Sequence, residues 1–152
     1  MITGFEHIRE DGKVITESMT IDRIIAEWPI CRVIDVQWQW QGKRLNVAHP
    51  LGLLAVLVPG RQHLAVLMNT DDSCQDASLH VISGDGQRSV LISDRLLIRD
   101  TVEAGTYVWF EYRKHDRSGV FTCVFSRARD QSMYNVDIDA ATGGILAVAA
   151  TR

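Results

Sequence analysis

The sequence predicts a mostly β protein, an antiparallel β-meander or sandwich-like sheet with one short N-terminal amphipathic helix. Three observations carry that expectation. From residue 106 to residue 148, β-branched and aromatic runs alternate with short polar turns, leaving no stretch long enough for a helix. Glycine-bearing turn signals recur between apolar runs through most of the remaining chain. Only one segment, residues 20–29, carries an apolar repeat of helical period.

The elements follow in order. Residues 5–8 and 14–17 flank Glu10-Asp11-Gly12-Lys13, where Asp-Gly signals a hairpin because glycine tolerates positive φ. Next, Ile21, Ile24, Ile25 and Trp28 fall at i, i+3, i+4 and i+7, on one helix face. Thr20 caps this helix, Asp22 suits its positive end and Pro29 stops it; the stripe is expected to lie on a sheet. Residues 32–41 alternate, with Ile34, Val36, Trp38 and Trp40 on one face and Asp35, Gln37 and Gln39 on the other. Gly42-Lys43 turns this strand toward residues 45–47. Residues 53–58 form an uninterrupted apolar run bounded by Gly52 and Pro59, the mark of a strand buried on both faces, with a short helix as the alternative. Residues 63–68 are its hairpin partner.

A polar loop, residues 69–76, leads to a hairpin of 78–82 and 89–92 around Ser83-Gly84-Asp85-Gly86. Residues 96–99 and 107–112 flank a loop closed by Glu103-Ala104-Gly105. Residues 120–126 are apolar on both faces and belong mid-sheet, while 133–138 and 145–148 close the meander. No linker, low-complexity tract or repeat period divides the chain, so 1–152 reads as a single β-rich domain.

Composition excludes several function classes. A net charge of −3 offers no basic field for nucleic acid. Up to Trp28 there are six acids against three bases, which accounts for the whole imbalance. Three widely spaced cysteines contain no CxxC pair, which argues against a zinc knuckle and suits a reducing cytoplasm. The acidic N-terminus lacks the basic and apolar regions of a signal peptide, and the apolar run at 51–58 is too short to span a bilayer. The expectation is a cytoplasmic protein with no membrane partner.

Candidate chemistry is sparse. Asp71-Asp72-Ser73-Cys74-Gln75-Asp76 surrounds a cysteine with acids, which disfavours the thiolate, and its spacing lacks an EF-hand's glycine and terminal glutamate. It reads as a solvated or partner-facing acidic loop. Trp109 is assigned to a mixed face with Tyr107, Glu111 and Arg113, opposite Val108, Phe110 and Tyr112, a face that reads either as an exposed interface or as a second core layer under the helix. Trp38 and Trp40 share an apolar stripe and read as core. Neither GxGxxG nor GxxxxGK[ST] occurs, so no cofactor is implied, and residues 113–119 read as a mixed-charge hairpin tip. The partner-binding candidates are therefore Asp71, Asp72, Asp76, Tyr107, Trp109 and Glu111, with no catalytic or metal-ligating residue assigned.

The tail from Tyr134 to Leu146, YNVDIDAATGGIL, is similar to the closing hairpin of bacterial β-meander domains, including PepSY-like and propeller-type repeats. In its size, mild acidity and want of a catalytic signature, the whole chain resembles a bacterial immunity protein of a contact-dependent or polymorphic toxin system. The resemblance implies a non-enzymatic protein that binds and occludes one cognate toxin domain. Acidic loops then suit a toxin with a basic active site. The alternatives are a small-ligand- or metal-binding enzyme using a pocket of His49, His63, His80 and Cys74, and a homo-oligomer pairing its aromatic face with itself.

Overall fold

The computed structural model describes residues 1–73, 76–112 and 117–151. In chain order its elements are β1 (Thr3–Arg9), β2 (Val14–Thr16), α1 (Ile21–Glu27), β3 (Val33–Trp40), β4 (Lys43–Ala48), β5 (Leu53–Leu57), β6 (His63–Asn69), β7 (Ala77–Ser83), β8 (Ser89–Leu91), β9 (Arg95–Ile98), β10 (Thr101–Glu111), β11 (Val120–Arg127), β12 (Met133–Asp139) and β13 (Ile145–Ala150). Every expected strand is present and every strand pairing is antiparallel.

The strands form three sheets, ordered β2-β1-β3-β4, β5-β6-β7-β8 and β13-β12-β11-β10-β9. The middle sheet is covered on both faces. Leu64 and Val66 of β6 join Val36, Trp38 and Phe5 of the first sheet in one core. Their neighbours Ala65 and Leu67 join Tyr107, Phe121, Phe125 and Val136 of the five-stranded sheet in another. Alternation along β6 therefore sends successive apolar side chains into two separate cores. Residues 53–58, read as the doubly buried strand, are instead an edge with Leu54 exposed, and β6 takes the central role. The run at 120–126 does lie mid-sheet, as β11.

Close backbone approaches fix how the layers stack. The Trp38 indole donates to the Gly84 carbonyl at 2.8 Å, tying the first sheet to the β7–β8 turn. Trp40 packs so closely on Gly84 that a Cβ there would overlap its ring. Strand β10 begins six residues earlier than the alternation suggested, because the β9–β10 turn is made by Arg99 and Asp100 at φ 49° and 68°. Aspartate accepts positive φ more readily than most residues, but Arg99 does not announce it and no glycine marks the turn, so residues 103–105 read as loop. Gly105 lies where β10 passes from pairing with β9 to pairing with β11, and a Cβ on it would overlap the Ser126 carbonyl oxygen.

Strand edges carry their own protection. On the open edge of β5, the His7 Nε2 sits 3.1 Å from the Ala55 carbonyl and 3.3 Å from its amide, serving one or the other according to tautomer. Burial holds the His7 imidazole below its ordinary 6.5, and burial acts in the same direction on His63 and His80.

Two outcomes follow from this architecture. Gly105→Ala should lower the unfolding free energy by about 3 kcal/mol in urea titrations, since the obstacle is backbone and cannot yield cheaply. Because burial depresses these imidazoles, the unfolded chain binds more protons than the fold as pH falls. Their contribution to stability is complete above the unfolded value of 6.5 and shrinks below it. Melting temperature should therefore drop between about pH 6.5 and pH 5, less steeply in His7→Gln.

Candidate functional site: an exposed acidic end

The acidic loop joins β6 to β7 at one end of the middle sheet, and its base is locked. Asn69 donates to the Leu51 carbonyl at 3.0 Å, and the His49 Nε2 meets the Asn69 carbonyl at 2.6 Å. Asp71 accepts from the Ser73 amide at 3.0 Å and its hydroxyl at 2.5 Å, so the carboxylate shapes its own turn. Asp72 is 85% exposed, with the Arg32 guanidinium 3.9 Å away. Arg32 also lies 3.6 Å from Glu10 and donates to the Pro50 carbonyl, drawing the β1–β2 turn, the 49–52 loop and the acidic loop onto one end. Asp76 is committed differently, accepting the Thr106 hydroxyl at 2.8 Å and bracing β7 against β10.

The aromatic candidates do not form one face. Tyr107 pairs with Phe125, but Trp109 pairs with Val124, so Val108 is the extra residue of a β-bulge. The bulge resets the alternation. Tyr107 points inward, 2% exposed, its ring edge-on to Phe125 and its hydroxyl donating to the Ser93 carbonyl at 3.0 Å. Burial pushes its phenol pKa upward. Phe110, on the opposite parity, also faces the core and meets Phe121 edge-on. Trp109 and Glu111 remain outside, joined by an indole-to-carboxylate hydrogen bond of 2.7 Å. The expected partner-facing role of Tyr107 is thus corrected to a core role. Trp109 lies three residues beyond Thr106, about 10 Å along β10 from the acidic end. Near it, a groove of about 300 Å³ runs between β5 and Phe110–Tyr112.

The histidines separate. His49 is near enough to His80 for its charge to be felt there, and His80 is bound to the Ser78 hydroxyl at 2.8 Å. His63 starts β6 whereas the His49 contact ends it, a span of about 20 Å. Among the described residues no three His, Cys, Asp or Glu side chains gather closely enough to share a metal ion. Cys74 and residues 113–116, which the sequence reading used, lie outside the described residues.

The helix departs furthest from expectation. It forms over Ile21–Glu27, capped by the Thr20 hydroxyl, but none of its residues is buried. Ile21 and Ile25 are 73% and 72% exposed, and Ile30 beyond its end is fully exposed. The stripe spans about 100° of the helix from Ile24 to Ile25, and only the Ile24–Trp28 flank is half-buried. The anchor is polar. Buried Arg9 donates to the Pro29 carbonyl at 2.6 Å and to Asp11 at 2.8 Å, and lies over the Trp28 ring with Lys13 beside it.

These features define an all-antiparallel, three-layer β protein whose conspicuous groups stand on exposed ends. No known protein-family profile matches the chain, and no curated protein does. Over the whole of both chains it is similar, at 52% identity and a TM-score of 0.96, to a chain of the solved structure described as "Structure of Tne2 in complex with Tni2". The protein belongs to the family of that chain.

Because the buried Tyr107 hydroxyl donates to the Ser93 carbonyl, Tyr107→Phe orphans that oxygen. Chemical denaturation should then show a loss of about 1 kcal/mol, with the surface unaltered.

Proposed function

We propose that this protein is the immunity half of a toxin pair, a non-enzymatic protein that binds one cognate toxin domain in the cytoplasm and occludes it. The observation that carries the reading is full-length similarity to a chain taken from a two-protein complex. The acidic end supports it. Asp71 and Asp72 are displayed on a loop whose base is held by Asn69 and His49, and a preorganised carboxylate pair favours a partner with a basic site. Trp109 and Glu111 extend the candidate surface along β10, whereas Asp76 serves the loop's own structure through Thr106.

The test begins with growth. Bacteria expressing the product of the reading frame adjoining this gene should stop growing, and co-expression of this chain should restore growth. Asp71→Lys with Asp72→Lys should weaken the purified complex at least about 10-fold, with melting temperature nearly unchanged because both side chains are exposed. Unchanged affinity would remove the loop from the interface, and absence of any complex or rescue would end the immunity reading.

A further inference from the structure

We infer that α1 is a docking helix, whose exposed isoleucines Ile21 and Ile25, continued by Ile30, enter an apolar groove with a basic rim on the protein's toxin partner. The inference rests on the immunity reading and locates the contact surface within it.

The first argument is energetic. Single exposed apolar side chains are ordinary, but Ile21 and Ile25 stack one turn apart on the same flank, and Ile30 follows five residues later. A helix whose apolar stripe is stabilised only by its own fold would roll that stripe onto the adjoining sheet. Here the roll is prevented. Arg9 grips the Pro29 carbonyl and stacks on Trp28, so the half-buried Ile24–Trp28 flank faces the body while the Ile21–Ile25 flank faces outward. A short amphipathic helix held at one end and bare along one flank suits helix-in-groove recognition, in which residues at i and i+4 act as anchors.

The second argument, charge, selects the occupant. Asp22 and Glu27 lie on α1, and Glu10 and Asp72 flank Arg32, two residues beyond Ile30. Arg23 pairs with Glu27 at 3.3 Å along the helix, and Arg32 is engaged by both of its acids. Glu6 and Glu17 pair with Arg44 and Arg61 away from the helix, but around it the exposed acids Glu10, Asp11, Asp22, Glu27 and Asp72 still outnumber Lys13, Arg23 and half-buried Arg32. A second copy meeting this surface would bring acid against acid, whereas a partner with lysine or arginine around an apolar cleft is attracted and oriented by it.

The experiment uses the full chain and, as probe, the purified product of the adjoining reading frame. Ile21→Ser with Ile25→Ser should weaken binding by at least about 30-fold, measured by calorimetry or surface plasmon resonance. Melting temperature should not fall, because neither side chain is buried in the free protein. Leu97→Ser with Val102→Ser, a pair equally exposed on β9 and β10, should leave affinity unchanged. Raising salt should weaken the wild-type complex mainly through a slower association rate.

Full-strength binding by the isoleucine variant would overturn the docking helix while leaving the immunity reading intact. A wild-type chain that does not bind the probe would overturn both. A wild-type dimer in light scattering that the isoleucine variant converts to monomer would assign the flank to a second copy and overturn the proposal.

Discussion

The structure depends on a sheet whose central strands are covered on both faces. Between His63 and Asn69, β6 carries five consecutive apolar side chains, and four of them are buried. A strand of that kind requires cover on both sides. The first sheet supplies one cover and the five-stranded sheet the other, so two cores share one set of backbones. This arrangement places the function-bearing groups. With both faces of the middle sheet occupied, most polar and charged side chains are left to the strand ends and to the outer faces of the two covering sheets. The acidic loop is one such end, and the Trp109–Glu111 pair sits on one such outer face.

Much of this was legible. A period of two over residues 32–41 located β3 and set Trp38 in the core, and Asp-Gly and Gly-containing turns located the hairpins. What escaped had a definite physical cause. Residues 53–58 and 63–68 have similar apolar composition, and only the strand order distinguishes the edge from the centre. The start of β10 escaped because Arg99 takes a positive-φ position of its turn and no glycine or asparagine beside Asp100 signals it.

The candidate site shows a sharper limit. Alternation assigned Tyr107, Trp109 and Glu111 to one face, and that inference holds only while the register is unbroken. One inserted residue, Val108, exchanges inside for outside along the rest of the strand. The same bulge makes Tyr107 and Phe110 neighbours in one core although they are three residues apart. The Trp109 carbonyl at the bulge accepts the Cys123 thiol at 3.2 Å, so the irregularity is met by its own polar partner. Nothing in a local pattern distinguishes a strand that will bulge from one that will not, because the register belongs to the pairing with β11.

The helix exposes a different kind of ambiguity. Periodicity identified the apolar face and the caps of α1, and both are present. Periodicity reports that a face is apolar; it cannot report which molecule covers it. The distinction is made by a group outside the helix. Arg9 is 3% exposed and would carry a large desolvation cost alone, but Asp11, the Pro29 carbonyl and the Trp28 ring offset most of it, with the Nε left without a hydrogen-bond partner among the described residues. A clasp at the C-terminal end, Arg9 on Trp28 and the Pro29 carbonyl, sets the roll of the helix without burying Ile21 or Ile25. Orientation by burial would have hidden the isoleucines; orientation by an arginine leaves them available.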